Sequence, residues 1–199
     1  MIKKTNGGKM RELTAEQIQD NYKKLINNIQ LYITGDRKDK VLKMYNDMED
    51  RFMMAPASAK EHYHNAMLGG YVDHINRVVD LSLKIKELWE QNGCKVDFTE
   101  EELVFSAIHH DLGKVGDLEH DYYIPQDNEW RRKNMGEIFK HNEKCEYMSV
   151  TDRAFYLLQA YDIPINKKEF IGIRLTDGMY EEANKSYLVA YKSEFQLRS

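Results

Sequence analysis

Three segments of this 199-residue chain carry the signal that most limits its fold, a capping box in front of an apolar pattern with helical spacing. The capping boxes begin at Thr14, Thr99 and Asn166, and each has Gln or Glu three residues later, whose side chain can bond back to the cap. Apolar residues then recur at intervals of three or four, as they do on one face of a helix. The sequence therefore predicts an all-α protein.

Other helices are predicted between and beyond these segments. Apolar spacing indicates one helix from about residue 37 to Pro56, one from 71 to 91 and one from 150 to 161. At the end of the chain the apolar residues alternate instead, which predicts a short C-terminal strand or hairpin as the one exception to the helices. The alternating residues are Tyr187, Val189, Tyr191 and Phe195.

Length and composition limit the classes of function. A chain of this length can build one domain with a sizeable core, in which we treat residues 1–54 as N-terminal helices that pack on a domain formed by residues 55–199. Charged residues make up 31% and the net charge is −4, so the chain has no basic excess for gripping a long nucleic acid. No apolar run is long enough to span a bilayer, and the first residues lack the apolar stretch of a signal peptide, so we expect a cytoplasmic protein that does not bind membranes.

His109, His110 and Asp111 stand at the end of the helix that begins after Thr99. An imidazole and a carboxylate at a helix end can both reach one metal ion, because the last turn can relax enough to bring the second ligand inward. Counting about 100° per residue places His110 and Asp111 towards the apolar side of the helix and His109 almost opposite. His110 and Asp111 are therefore candidate ligands, and His109 is interpreted either as a residue that supports them or as a surface residue.

His74 and Asp177 are two further candidate ligands. His74 lies on the apolar face of the helix predicted for residues 71–91, where its ring needs a partner, and a core histidine bonded to a carbonyl is the alternative interpretation. Asp177 shares a predicted helix face with Phe170 and Ile173. A carboxylate on such a face is costly unless it is paired or bound to a cation, which makes Asp177 a candidate fourth ligand.

In this order, His74, His110, Asp111 and Asp177 resemble the ligand set of the HD-domain family of metal-dependent phosphohydrolases. The resemblance implies an HD-domain helical bundle in which these four residues bind one divalent metal ion. Two imidazoles and two carboxylates suit manganese, iron, cobalt, nickel, zinc or magnesium.

The segment from His64 to His74 is also similar to the His-x4-Gly-Gly-x-x-acid-His segment of some HD-domain proteins, including bacterial exoribonucleases. Gly113 and Lys114, which follow the His-Asp pair, fit the same motif, and the resemblance covers roughly residues 55–185. It makes His64 a candidate substrate contact and Lys114 a candidate phosphate contact. The other interpretation of Lys114 is a charge that interacts with the dipole at a helix C-terminus.

The resemblance implies further catalytic roles. Asp111 could orient or deprotonate the attacking water, while His109 or His141 could stabilise transition-state charge or protonate the leaving oxygen. His141 lies in a stretch that we predict to be helical, at about the distance from Asp111 where relatives with two metals can hold the second ion. His141 is therefore a candidate for a second-metal ligand or for a residue that faces the substrate phosphate.

A long loop is predicted from Gly116 to about Arg131, directly after the candidate metal ligands, and loops at such positions are often functional. Its adjacent aromatic residues, Tyr122 and Tyr123, could stack on a base, with Arg131 and Arg132 available for phosphate. Alternatively, the tyrosines fill the edge of the core and the arginines begin a solvated helix.

The leading hypothesis is a metal-dependent phosphohydrolase that uses a metal-activated water to hydrolyse a small nucleotide, either a mononucleotide or a deoxynucleoside triphosphate. A phosphodiesterase or nuclease for cyclic or short oligonucleotides is an alternative, because the same chemistry serves both kinds of bond. A non-catalytic nucleotide-binding module is another alternative. The N-terminal helices could serve as packing for the core or as a contact in a homo-oligomer.

Overall fold

Helices make up most of residues 12–190, the part of the chain that the computed structural model describes. The helices are α1 (Ala15–Tyr32), α2 (Gly35–Asp47), α3 (Glu49–Met54), α4 (Gly70–Gln91), α5 (Glu100–His109), α6 (Glu129–Met135), α7 (Val150–Ala160), α8 (Lys167–Arg174) and α9 (Lys185–Ala190). Short 3-10 helices lie at Leu112–Val115, Gly178–Tyr180 and Glu182–Asn184. Among the described residues, no helix combines the length and the apolar character needed to cross a lipid bilayer. The all-α class predicted from the sequence is confirmed.

The capping boxes predicted at Thr14, Thr99 and Asn166 are all present. At the first of them, the Gln17 backbone N–H donates to the Thr14 hydroxyl at 3.2 Å, and the Thr14 N–H donates to the Gln17 side chain at 2.9 Å. Each box satisfies backbone donors that the first helical turn leaves unpaired. The three boxes thus fix where α1, α5 and α8 begin.

One hydrophobic core includes helices on both sides of the boundary drawn at residue 55 in the sequence analysis. In this core α4 packs against α1 and α5, and α5 packs against α8. Leu25 of α1, Phe52 of α3, Ile75 of α4 and Ile108 of α5 are fully buried members. Burial of such a side chain contributes about 1.5–3 kcal/mol. The N-terminal helices therefore help to hold the later helices in position.

The apolar face of α4 is buried along its first half only. Tyr71, Ile75 and Val79 are buried, whereas Ile85 and Leu88 are 49% and 57% exposed. The periodic pattern in the sequence thus overestimates how far the core extends along this helix.

The strands described by the structure lie in the middle of the chain. Strand β1 (Tyr123–Pro125) and strand β2 (Phe139–His141) pair antiparallel, with Tyr123 opposite His141. The stretch around His141 is therefore a strand, and the helix predicted there is wrong. Likewise, the predicted loop between residues 116 and 131 contains β1 and the start of α6. Three-residue strands are too short to show a period of two in the sequence.

The strand predicted in the tail is wrong where the structure describes it. Tyr187 and Val189 lie in α9, whereas Tyr191 and Phe195 lie outside the described residues. Alternation over so few residues does not distinguish a strand from a short helix.

Candidate metal centre

Four side chains from three segments meet beside the first half of α4. His64 precedes this helix, His74 lies in its second turn, and His110 and Asp111 follow α5. Nε2 of His74 lies 3.1 Å from Nε2 of His110 and 3.4 Å from Oδ2 of Asp111. Nε2 of His110 is also 3.4 Å from Oδ2 of Asp111. His64, His74 and Asp111 each offer a ligand atom, and these three atoms lie within 4.8 Å of one another. We call these four residues the metal cluster.

A tight turn before α4 brings His64 next to His74, so that their ring centroids are 4.7 Å apart. Gly69 has φ +74°, a left-handed conformation that favours glycine. A Cβ atom on Gly70 would lie 2.2 Å from the carbonyl oxygen of Asn65. The Asn65 side-chain amide donates to the Gly70 carbonyl at 2.9 Å and closes the turn. The Gly-Gly pair of the motif thus permits the turn that places two histidines together.

The end of α5 sets the orientation of the His110 ring. Its Nδ1 donates to the carbonyl oxygen of Ala107 at 2.8 Å. Since Nδ1 then carries the proton in the neutral ring, the lone pair on Nε2 is directed at the metal cluster.

Close packing against α7 fixes the backbone that follows Asp111. A Cβ atom on Gly113 would lie 2.0 Å from the carbonyl oxygen of Val150, the first residue of α7. Only glycine therefore allows the 3-10 helix Leu112–Val115 to lie this close to α7. Asp111 is the residue immediately before this 3-10 helix, so its position depends on that packing.

Asp111 is buried and surrounded by nitrogen atoms, including Nζ of Lys114 at 2.7 Å. Burial raises the pKa of this carboxyl group, but its polar contacts with His110 and His74 and the charge of Lys114 outweigh burial and hold the pKa well below its usual range. Asp111 is therefore an anionic ligand at neutral pH.

His64 has the properties of a ligand as well. Partial burial lowers the pKa of its ring, and the neighbouring charges of His74 and Lys114 lower it further. The neutral ring is the form that binds a metal. The sequence motif makes His64 a candidate substrate contact, whereas the structure brings its ring into the metal cluster.

The donor set fits a divalent metal ion. With Nδ1 of His110 donating elsewhere, the two Nε2 atoms of His74 and His110 face each other at 3.1 Å, where a cation or a proton is needed to offset the repulsion of their lone pairs. Three imidazole nitrogens and one carboxylate suit manganese, iron, cobalt, nickel or zinc better than magnesium, which prefers oxygen ligands. His64, His74 and Asp111 form a group that could hold the ion, and His110 lies against two of its members.

Asp177, the fourth ligand implied by the family resemblance, is not one of the residues that meet here. Helix α8 ends at Arg174, and Asp177 lies exposed at the start of the 3-10 helix Gly178–Tyr180. Its Oδ2 is 3.5 Å from the hydroxyl of Thr151, which donates to it. The predicted helix face did not place Asp177 correctly, because the helix ends before this residue.

His109 is a fully buried core residue, not a surface residue. Its Nδ1 donates to the carbonyl oxygen of Phe105 at 2.8 Å, and its ring lies beside the rings of Tyr45 and Phe105. Burial lowers the pKa of His109 to about 3, so the ring is neutral. A ring without exposed surface cannot contact a substrate, and the geometry therefore supports a packing role beneath the metal cluster.

A cavity of about 300 Å³ lies next to the metal cluster, with Lys114 in its wall. Its walls come from α3, the turn before α4, the 3-10 helix Leu112–Val115 and both strands. The lining residues are Asp50, Arg51, Met54, Ala55, Pro56, Leu68, Lys114, Val115, Asp121, Tyr122, Tyr123, Ile124, Pro125 and Phe139. We call this space the Lys114 cavity.

Tyr122 and Tyr123 belong to the wall of the Lys114 cavity, and with His141 they form a group of three aromatic rings. The ring centroids are 4.6 to 5.4 Å apart. Partial burial lowers the pKa of His141, and the charge of Arg153 lowers it further. The structure thus groups His141 with the tyrosines and places it in the wall of a neighbouring cavity.

The two arginines predicted to bind phosphate lie elsewhere. Arg131 forms an ion pair with Glu137 at 3.1 Å and lines the same neighbouring cavity as His141. Arg132 lines a third cavity, beside Met67. Neither arginine belongs to the wall of the Lys114 cavity.

Sequence reasoning missed the role of Arg153, which is 2% exposed. Its guanidinium donates to the carbonyl oxygens of Gly113 at 3.1 Å, Glu146 at 3.0 Å and Met148 at 3.1 Å. Arg153 therefore ties the backbone after Asp111 to the segment before α7. The signal in the sequence was an arginine immediately before Ala154, the first residue of the apolar pattern in α7.

Comparisons with protein-family models, curated proteins and solved structures found no match to this chain. The resemblance to HD-domain phosphohydrolases therefore depends on the sequence motifs quoted above.

Proposed function

We propose that this protein is a metal-dependent phosphohydrolase of the HD-domain type that hydrolyses a phosphate ester or anhydride bond of a nucleotide. The observation that carries the proposal is the convergence of three imidazoles and the Asp111 carboxylate beside a cavity whose wall contains Lys114. The order of His74, His110 and Asp111 in the chain supports it, because these three residues follow the family motif, with His64 as an additional donor.

A divalent ion bound by the metal cluster would supply charge neutralisation at a phosphoryl oxygen and a water of lowered pKa. Asp111 remains ionised, so it would hold the ion and orient this water. Lys114 can donate to a phosphoryl oxygen as negative charge develops there. These roles need Asp111 and Lys114 side by side, as their contact provides.

In this proposal Tyr123 contacts the leaving group. Burial raises the pKa of its hydroxyl, as do the charges of Tyr122 and Asp111, so the hydroxyl stays protonated and can donate a hydrogen bond. The Tyr123 ring lines the same cavity as Lys114. The Tyr123 hydroxyl would be a neutral hydrogen-bond donor to the leaving oxygen of a nucleotide bound there, on the side of the cavity formed by β1.

The test is product analysis by chromatography after the manganese-loaded or zinc-loaded protein is incubated with nucleoside monophosphates, nucleoside triphosphates, cyclic nucleotides and short oligonucleotides. Asp111→Asn is compared with Asp80→Asn, a control that removes an exposed carboxylate paired with Lys24. We expect the unmodified protein and the control to release phosphate from a nucleotide, and Asp111→Asn to release none. Full activity of Asp111→Asn would reject the proposal, and cleavage of cyclic or oligomeric substrates alone would replace it with a phosphodiesterase.

A further inference from the structure

We infer that the Lys114 cavity selects a phosphate monoester of an uncharged, ring-bearing alcohol, so that the substrate is a nucleoside monophosphate and not a triphosphate. This inference rests on the proposed function of the same site and adds the class of substrate. Three features of the cavity carry it: its connection to the metal cluster, its few available cations and its apolar walls.

The connection is Lys114, which belongs both to the cavity wall and to the ion pair with Asp111. Its side chain is 17% exposed, so its ammonium group is held in place instead of moving freely in solvent. A phosphate group at this end of the cavity would contact Lys114, which itself contacts Asp111 of the metal cluster. The rest of the molecule would then extend between α3 and β1.

The available cations suffice for one phosphate group. Among the described residues lining the cavity, Arg51 is the only other basic side chain. Its guanidinium already donates to the backbone carbonyls of Asp117 and Leu118, and its Nε lies 3.4 Å from a carboxylate oxygen of Asp121. Arg51 therefore holds the 117–121 segment, and these contacts leave only two of its five N–H groups for a further phosphate.

Two carboxylates in the same wall act against additional phosphates. Asp50 is exposed on α3, and Asp121 is 57% exposed despite its contact with Arg51. Since like charges repel, they disfavour the extra negative charge of a triphosphate in this cavity. They can accept hydrogen bonds from hydroxyl or amino groups of a neutral ring system.

The remaining walls suit one ring system. Met54, Pro56, Leu68, Phe139 and the Tyr123 ring supply apolar and aromatic surface. The volume of about 300 Å³ lies at the lower end of the range of small-molecule sites, about 300–1,000 Å³. A single nucleoside matches this space better than a chain of nucleotides.

The test measures binding separately from turnover. Calorimetry on the full-length, metal-loaded protein compares a nucleoside monophosphonate, in which a methylene group replaces the ester oxygen, with a methylene-bridged triphosphate analogue. We expect the monophosphonate to bind more tightly by about tenfold, the ratio that corresponds to about 1.4 kcal/mol. Phosphate release from the natural monophosphate and triphosphate is measured in parallel.

Asp50→Lys and Glu49→Lys form a matched pair of variants for this test. Both residues are exposed in the first turn of α3, but only Asp50 lines the cavity. Asp50→Lys should raise the affinity for the triphosphate analogue by about tenfold while changing that for the monophosphonate much less. Glu49→Lys should leave the ratio of the two affinities unchanged.

The outcomes separate this inference from the proposed function. Equal or tighter binding of the triphosphate analogue, or equal effects of the two α3 variants, overturns the inferred preference for a monophosphate over a triphosphate. In that case, phosphate release from the triphosphate would still support a phosphohydrolase. Selective binding of the monophosphonate without phosphate release from any nucleotide supports the cavity assignment and rejects hydrolysis. Failure of the monophosphonate to bind overturns the inference.

Discussion

Nζ of Lys114 lies 2.7 Å from Oδ2 of Asp111, so a cation in the cavity wall and a carboxylate of the metal cluster form one ion pair. The backbone sets this pair, because the Lys114 N–H also donates to the Asp111 carbonyl at 2.9 Å in a single turn. A ligand in the Lys114 cavity therefore comes within reach of the Lys114 ammonium group, which also holds the Asp111 side chain.

Lys114→Met should reduce phosphohydrolase activity by about a hundredfold, a loss typical for removal of one charged or polar donor to a transition state. Because Lys114 contacts a metal ligand but is not one itself, metal affinity should fall much less than in Asp111→Asn, which should abolish both properties. Steady-state kinetics and metal titration calorimetry measure the two effects. A loss of metal binding in Lys114→Met equal to that in Asp111→Asn would contradict the separate roles.

The structure and the family resemblance disagree about one ligand, and two variants decide between them. His64 lies in the metal cluster, whereas Asp177 is exposed beside Thr151. His64→Ala should therefore weaken zinc or manganese binding by more than about tenfold, and Asp177→Ala should weaken it less. Calorimetric titration with each metal makes the comparison, with circular dichroism as the control for folding. The reverse order of effects would favour the ligand set of the resemblance.

Gly70→Ala should destabilise the protein by about 1–3 kcal/mol, because the added Cβ would meet the Asn65 carbonyl oxygen at 2.2 Å and the turn before α4 would have to open. Metal affinity should fall as well, since this turn holds His64 near His74. Urea denaturation and metal titration measure the two losses.

Gly35→Ala is the matched control for that variant. Gly35 has φ +62° with nothing within 4 Å of the added Cβ. Gly35→Ala should lower the free energy of unfolding only by the backbone strain, about 1 kcal/mol, and should leave metal affinity unchanged. Equal loss of metal affinity in both variants would show that the turn before α4 does not position the ligands.

Local signals predicted the parts of this fold that depend on neighbouring residues. The capping boxes at Thr14, Thr99 and Asn166 fixed three helix starts, because cap and partner are only three residues apart. The helical count that turned His110 and Asp111 inward agrees with their contact with His74. These inferences needed only the geometry of one helix.

The errors arose where a contact distant in sequence decides the structure. The helical count turns His109 away from the apolar face of α5, but α2 provides Tyr45 on that side and the ring is buried against it. His64 joins the metal cluster through a turn whose closure depends on Asn65 and not on periodicity. Strands β1 and β2 are each stabilised by pairing with the other, and a three-residue sequence pattern cannot reveal this pairing.

Arg153→Met should lower the free energy of unfolding by about 2–5 kcal/mol, because three carbonyl oxygens lose the charged donor supplied by a buried side chain. Arg174→Met is the control, since it removes an arginine paired with exposed Asp152, for which the expected loss is about 0–1 kcal/mol. Thermal and urea denaturation measure both variants. A similar loss in the two proteins would show that the carbonyl contacts of Arg153 do not stabilise the segment after Asp111.

His109 should make the stability of the metal-free protein fall in mild acid. Its pKa is lowered by burial to about 3 in the folded state, whereas an unfolded histidine titrates near 6.5, so between these values only the unfolded state binds the proton. The stabilisation is complete above the unfolded pKa and is lost as the pH falls towards 3. His109→Asn keeps a donor for the Phe105 carbonyl but cannot take up this proton. The free-energy advantage of the unmodified protein over the variant, measured by urea denaturation, should therefore shrink by about 2 kcal/mol between pH 7 and pH 5. A difference that stays constant over this range would mean that His109 is protonated in the folded protein or stays neutral in both states.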